Sequence, residues 1–465
     1  MNFRRISNLR ITPIAFSDPP LLNAGGIHEP HVLRAVLELT VEDGRGGTVV
    51  GLSECAGHSW QLDWLELLAT NLEGVSVFDT NHIRRLVDEL LGGHGAVDTC
   101  ESAPWRRWAD RSDSGDSRGP APTPASDFDR RRVYSAIEVA CLDVQGKLLG
   151  VPVVDLLGGR LQESVPYSAY LFYKLEEHPG AAGRAAIKDV WGAALDPDGI
   201  VAQATKMIDQ YGFQSIKLKG GVLEPDAEVA AILALRRAFP DHPLRLDPNG
   251  AWSVEAAVAA STRLTGVLDY LEDPVLGLQQ MSEVAARTSI PLATNMCVTA
   301  TEHLRPALEQ KSVSIVLADH HYWDGIRGTV ALDAVCRAVG LGMSMHSNSH
   351  LGISLAAMTH AAAATRISHA CDTHYPWGAN DDIVQPGVLR FNRGRVAIPE
   401  GPGLGVELDQ AVVVRLHKVY LTLGREHRND AAYAQRISPN FAPASMSLRT
   451  SVHSIPALDR HQPLA

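Results

Sequence analysis

The chain is poor in cysteine. Its six cysteines, Cys55, Cys100, Cys141, Cys297, Cys336 and Cys371, are scattered and form no Cys-x-x-Cys pair. That spacing argues against a zinc-ligand set and against a disulfide framework, and it fits a reduced, cytoplasmic setting. No apolar run approaches the length of a membrane span. The N-terminal Met1-Asn-Phe-Arg-Arg5 lacks the apolar core of a secretory signal. Positive charge is also short, with Lys+Arg 42 against Asp+Glu 53, a net charge of −11 and a pI near 5.9. This balance argues against nucleic acid or an anionic membrane as partner. An acidic small molecule stays open, because a local cationic site can sit on an acidic protein.

Apolar residues are plentiful. At 465 residues and 45% hydrophobic, the chain can bury a large core and is expected to hold two domains. The segment Arg34–Val41 reads as a strand, with Glu42-Asp-Gly44 as a hairpin turn. Asn81–Leu91 carries Ile83, Leu86, Val87, Leu90 and Leu91 on one helical side. Asp98–Asp129 is rich in Ser, Asp, Arg, Pro and Gly and reads as a mobile insertion or lid segment. A helix is expected from Val133 to Leu148, ending at Gly150. From Val165 to Pro399, strand-like and helix-like runs alternate. The expected strands are Ser215–Leu218, Leu244–Asp247, Tyr270–Glu272, Leu292–Thr294, Ile315–Ala318 and Gly342–Met345. Ala- and Leu-rich helices such as Asp226–Phe239 and Val254–Leu264 lie between them. This is the pattern of an α/β-barrel. A further helix is expected near Gln410–Leu421, and the polar tail after Pro439 reads as poorly ordered.

Polar residues end these apolar runs at a near-constant interval. Lys219, Asp247, Glu272, Asn295, Asp319 and His346 are separated by 28, 25, 23, 24 and 27 residues. A parallel barrel places strand ends at such intervals and points them into one mouth. In Ser215-Ile-Lys-Leu-Lys219, alternation puts Ser215, Lys217 and Lys219 on one face. Two lysines inside a barrel are costly unless used, and each is expected to depress the other's pKa, which would make a general base. The structural alternative is an exposed edge strand with solvated lysines.

Asp247, Glu272 and Asn295 offer three hard oxygens suited to Mg²⁺. Any one of them alone could be a helix cap after a strand. Asp273 competes with Glu272, and alternation favours Glu272. Asp319 can orient His346 and raise its basicity, although His320 and His321 are rival imidazoles. His374, in Cys371-Asp-Thr-His374, is assigned to binding.

Taken together, Lys217-Leu-Lys-Gly-Gly-Val222, Leu246-Asp-Pro-Asn-Gly-Ala-Trp252, Glu-Asp-Pro, Ala-Thr-Asn-Met, Ala-Asp-x-His-x-Trp and His-Ser-Asn resemble the enolase superfamily, and within it the glucarate dehydratase subgroup. The similarity runs from about Asp18 to Asp430. It implies a modified (β/α)-barrel of TIM type with an α+β capping domain. The implied division is 1–160 for the cap with its 98–129 insertion, 161–404 for the barrel, 405–440 returning to the cap, and 441–465 as a disordered tail.

The implied reaction is Mg²⁺-dependent removal of the proton α to a carboxylate of D-glucarate or a related hexarate. Loss of the β-hydroxyl then gives a keto-deoxy acid sugar. By resemblance, Lys219 and His346 are bases on opposite faces, Lys217 binds the carboxylate and tunes Lys219, and Asp319 orients His346. Asp247, Glu272 and Asn295 are the implied Mg²⁺ ligands. Asn23, His28, Tyr170, Asn249, Asn348, His374 and Arg428 resemble substrate-binding positions, with Asn23, His28 and Arg428 toward the distal end of a diacid. Without the resemblance, Asn23 and His28 read as an ordinary turn.

Some relatives place a metal-binding Glu where this chain has Leu278, which leaves Glu272, with Glu283 a remote alternative. The subgroup's usual His-Ser-Asn-Asn-His-Phe-Asp is here His346-Ser-Asn-Ser-His-Leu-Gly352. A homo-oligomer is implied by resemblance alone. An epimerase or racemase of a sugar diacid, using the same bases without elimination, is the alternative within enzymes. A non-catalytic diacid-binding relative is the alternative outside them.

Overall fold

The computed structural model describes residues 4–43, 46–92, 125–178, 189–424, 427–438 and 440–441. The chain opens with β1 (Ile6–Ser17), a small hairpin of β2 (Leu22–Asn23) and β3 (Gly26–Ile27), then β4 (His31–Glu42) and β5 (Thr48–Ala56). β1, β4 and β5 form an antiparallel sheet in the order β1-β4-β5. The expected Arg34–Val41 strand is thus the centre of β4. The tip of its turn, including Gly44, lies outside the described residues. Helices Ser59–Leu72, Thr80–Leu90 and Asp127–Leu149 pack on this sheet around Leu37, Leu39, Leu65, Leu68, Ile83, Val87 and Ile137.

The helix expected from Val133 begins six residues earlier. The Ser126 hydroxyl accepts the Asp129 N–H at 3.1 Å, and Asp127 and Asp129 sit in the first turn, where acidic groups complement the helix dipole. Arg130, Arg131 and Arg132 follow and hide the apolar period in the sequence. Residues 98–124 of the expected mobile insertion lie outside the described residues, as does the tail from 442. For 125–129 the structure corrects that expectation, because Ala125 and Ser126 are buried and Asp127 opens the helix.

The barrel follows as eight parallel strands. They are β6 (Ser164–Phe172), β7 (Ile216–Lys219), β8 (Leu244–Asp247), β9 (Leu268–Glu272), β10 (Leu292–Thr294), β11 (Ile315–Ala318), β12 (Gly342–Met345) and β13 (Cys371–Asp372). Seven helical connections separate them, forming the outer layer of a barrel whose inner face is filled by side chains. β13 returns to pair with β6 through Cys371–Tyr167 and Asp372–Ser168. The Ser368 N–H donates to the Met343 carbonyl at 2.8 Å, bringing β12 against the segment entering β13. The antiparallel pair β14 (Phe391–Asn392) and β15 (Arg395–Ala397) extends the sheet from β6.

Helix Gly352–Ala363 is buried all round, which fits its run of Ala, Leu, Ile and Met. Helix Gln410–Leu423 then packs on β1, where His417 Nδ1 lies 2.6 Å from the Pro13 carbonyl, and helix Asp430–Ile437 packs on β3. The five described cysteines, Cys55, Cys141, Cys297, Cys336 and Cys371, are free and buried, and Cys100 lies outside the described residues. Among the described residues no helix is long and apolar enough to cross a membrane.

Candidate active site

The polar row converges at the C-terminal ends of the barrel strands. Lys217 and Lys219 lie on β7, hydrogen-bonded between β6 and β8, so the edge-strand alternative falls away. Lys217 is fully buried. Its Nζ sits 2.6 Å from Glu272 Oε2, 3.0 Å from Asp372 Oδ2 and 3.2 Å from Asp247 Oδ2, and 4.8 Å from the Tyr170 ring centre. Lys219 Nζ donates to Asp247 Oδ2 at 2.8 Å and to Asn249 Oδ1 at 2.7 Å. Asn249 holds a left-handed backbone (φ 57), which its own N–H bond to Asp247 Oδ1 at 3.0 Å supports.

The expected mutual depression of the lysines does not hold in this arrangement. Burial alone would push each toward deprotonation, yet the carboxylates outweigh both burial and the second ammonium. Asp372 and Glu272 hold Lys217, and Asp247 holds Lys219, above the ordinary lysine value. Burial would raise Asp247, but the lysines keep it below the usual carboxylate range. Burial and the adjacent Asp247 charge drive Glu272 well above that range.

Glu272 Oε1 and Asn295 Oδ1 are buried without a hydrogen-bond partner. Two orphaned hard oxygens on adjacent strand ends, beside the ionised Asp247, suit a small divalent cation. Asp273 points elsewhere. It accepts from Thr294 Oγ1 at 2.6 Å and from the N–H groups of Asn295 and Met296 at 2.9 and 3.2 Å. Leu278 is buried, and Glu283 lies exposed on a helix, away from this cluster.

A second cluster lies at the ends of β11 and β12. Asp319 Oδ1 accepts from His321 at both the backbone N–H (2.9 Å) and Nδ1 (2.7 Å), while Oδ2 faces His346 Nδ1 at 3.5 Å. Asp319 therefore hydrogen-bonds His321 and lies within ion-pair distance of His346, while Asp319 Oδ2 and His346 Nδ1 are both without a hydrogen-bond partner. Burial would raise the Asp319 carboxyl, but the His321 and His346 contacts keep it well below the usual range. Burial lowers His346 below its ordinary value, and Asp319 only partly opposes this. His346 is thus neutral near pH 7, as a base must be. Burial also pushes His320 well down.

The third cluster joins the cap to the mouth. His28 Nδ1 lies 2.9 Å from Asp18 Oδ2, and His28 Nε2 lies 2.8 Å from Asn23 Nδ2. Arg428 Nη1 donates to the same Asp18 oxygen at 2.8 Å. His374 stacks on His28 with ring centres 5.9 Å apart, and neither of its ring nitrogens has a hydrogen-bond partner. Its burial lowers its pKa to about 3. The ring of Phe172, beside Lys219 in the β6–β7 register, touches Tyr170, His28 and His374, tying this cluster to the first. Asn23 and His28 do belong to a tight β2–β3 hairpin, but His28 also reaches outside it. Asn348 is exposed on the loop after β12.

Asp372 and Asp18 have no role in the sequence analysis, and His321 enters it only as a rival imidazole. Asp372 is two positions from the chosen His374, and a fully buried lysine such as Lys217 calls for such a counter-charge. Asp18, in Ser17-Asp-Pro-Pro20, carries no local signal for its role, and only the contact with Asp319 sets His321 apart from His320.

Residues 199–412 match the family described as Enolase C-terminal domain-like. A probable glucarate dehydratase of Streptomyces coelicolor is 48% identical over 446 residues, covering 95% of this chain and 98% of that protein. An enolase of Mycobacterium smegmatis complexed with tartrate superposes with a TM-score of 0.85 at 50% identity, covering 96% of this chain and 98% of that one. A Pseudomonas fluorescens enolase with bound magnesium, potassium and tartrate gives a TM-score of 0.84 at 45% identity, covering 94% and 98%. With this extent of identity and the barrel-plus-cap architecture, the chain belongs to the enolase superfamily, among its glucarate dehydratase-like lyases.

Proposed function

We propose that the protein is a Mg²⁺-dependent dehydratase of D-glucarate or a related hexarate. The observation that carries this reading is the placement of Lys219 and His346 on β7 and β12. These strands are separated by β6 and β13 on one side of the barrel and by four strands on the other. A substrate lying between them meets a base from either face. The tartrate bound by two relatives, a hydroxy diacid, supports a dicarboxylate substrate here.

In this reading Asp247, Glu272 and Asn295 would hold Mg²⁺, which a relative carries. Bound there, the ion would supply positive charge against the negative charge developing on the substrate carboxylate and would compete with Lys219 for Asp247. Lys217, fixed as an ammonium by Asp372, binds one carboxylate oxygen and adds charge beside Lys219. Lys219 or His346 removes the α-proton according to the configuration of the attacked carbon. Lys219 can do so only after losing the proton that its carboxylate neighbours hold on it, and the base that has taken the α-proton can then give it to the departing β-hydroxyl. His28, Asn23, His374 and Arg428 hold the distal end of the diacid, with the guanidinium offering a fork to its carboxylate. We further infer a cytoplasmic homo-oligomer acting on small molecules, with no nucleic-acid or membrane partner.

The test is formation of 2-keto acid by purified protein with Mg²⁺ across hexarates and monocarboxylic sugar acids. Product from a hexarate supports the reading. Exchange of the α-proton or epimerisation without loss of hydroxyl would replace it with an epimerase. Mg²⁺ and diacid binding with neither reaction would leave a binding protein.

A further inference from the structure

A buried run of polar groups crosses from the capping sheet to the barrel mouth. Glu54 on β5 accepts from Arg34 Nε on β4 at 2.9 Å. Its two oxygens also accept the N–H groups of Leu351 and Ser354 at 2.9 and 3.1 Å, at the start of helix Gly352–Ala363. Arg34 Nη2 lies 2.9 Å from His321 Nε2 and 3.3 Å from Ser354 Oγ, which is itself 2.9 Å from His321 Nε2. His321 Nδ1 then meets Asp319 Oδ1, and Asp319 Oδ2 faces His346. The side chains of Arg34, Glu54, Asp319 and His321 are exposed by 6%, 0%, 1% and 14%, so this contact is largely shielded from solvent.

A guanidinium has only donors. His321 Nε2 must therefore accept, which leaves its single proton on Nδ1, donated to Asp319. A second proton on His321 would set an N–H against the buried guanidinium. This removes His321 from the candidate bases and leaves His346 as the imidazole free to take a proton. It also anchors Asp319 Oδ1 at two points, so that Oδ2 has one orientation, toward His346.

We propose that Arg34 is a positioning residue contributed by the capping sheet: it fixes the His321 tautomer and thereby holds Asp319 against His346, so that His346-side proton transfer depends on it and Lys219-side transfer does not. The proposal rests on the dehydratase reading for its kinetic consequence, but its tautomer consequence stands apart from that reading.

The experiment uses full-length protein with Mg²⁺ and a pair of substrate epimers at the attacked carbon. These are sorted into Lys219-dependent and His346-dependent by Lys219→Ala and His346→Asn. Arg34→Lys keeps a charge beside Glu54 but cannot reproduce the fork. It should lower kcat for the His346-dependent epimer roughly ten- to a hundredfold, with KM and the other epimer changed by less than about twofold. Equal loss on both epimers would reduce Arg34 to a brace between cap and barrel, and no loss on either would remove the role altogether.

If Arg34→Lys does not fold, His321→Leu should give the same selective loss, and His321→Asn, which keeps a donor near the Nδ1 position, should restore much of it. Absence of that rescue overturns the proposal. If no hexarate reacts at all, the dehydratase reading fails by itself. Ring-nitrogen NMR on ¹⁵N-histidine protein then decides the proposal: the His321 signals must report Nδ1–H, and the His346 signals must move in Arg34→Lys. A His321 proton on Nε2, or unmoved His346 signals, would overturn it.

Discussion

At the scale of single residues, the site is a problem of buried charge. Lys217, Asp247, Glu272 and Asp372 are each wholly or almost wholly removed from water, and only their mutual contacts make this tolerable. The proposed bases should be individually indispensable. Lys219→Ala and His346→Asn are each expected to lower 2-keto acid formation from at least one epimer by roughly 10²- to 10⁴-fold, while Mg²⁺ binding persists. Full turnover in both variants would remove the mechanism. Asn295 should behave differently. Loss of its unpartnered Oδ1 in Asn295→Ala is expected to weaken Mg²⁺ by roughly tenfold or more, read by titration calorimetry, with activity recovering at high Mg²⁺.

At the scale of elements, the short barrel strands position the chemistry and short turns position the substrate contacts. β8, β10, β11 and β12 begin and end where the sequence places them, because each is a short apolar or alternating run closed by a polar residue. β7 is displaced by one residue, ending on Lys219 itself. β13 is two residues long and has no apolar run to announce it, so the sequence points to His374 and not to Asp372. The β2–β3 hairpin depends on Gly26, whose φ is 142 and where an added Cβ would lie 2.5 Å from the Asp430 carbonyl oxygen. Gly26→Ala must push the hairpin and helix Asp430–Ile437 apart and so disturb His28 and Arg428. The expected result is a rise in KM for the diacid of roughly tenfold with a smaller change in kcat. An unchanged KM would place Asn23 and His28 outside the substrate contacts.

At the scale of the whole molecule, the N-terminal and C-terminal parts of the cap are joined by ion pairs. Residues far apart in sequence meet at Asp18, where His28 from the N-terminal hairpin and Arg428 from the C-terminal segment share one oxygen. A chain ending after residue 424 should keep its barrel but lose Arg428 and the cover over β3. Because charge-assisted pairs contribute about 1.5–3 kcal/mol, its KM for a diacid should rise roughly ten- to a hundredfold. A monocarboxylic acid sugar should be affected much less, and comparing the two substrates by steady-state kinetics separates loss of a carboxylate contact from general damage.

The sequence by itself determined the barrel, the order of its polar strand ends and the turning of Glu272, not Asp273, toward the lysines, because strand alternation and regular spacing are local properties. It also placed the two lysines on one inward face. Their protonation was another matter. The lysine pair is two residues apart in the chain, but its carboxyl neighbours lie on β8, β9 and β13, and only folding brings these three groups against the two ammonium groups. The same holds for His346, whose partner Asp319 is shared with His321 and, through it, with Arg34 of the capping sheet. Electrostatic energies depend on distance and on exclusion of water, and both are set by tertiary structure.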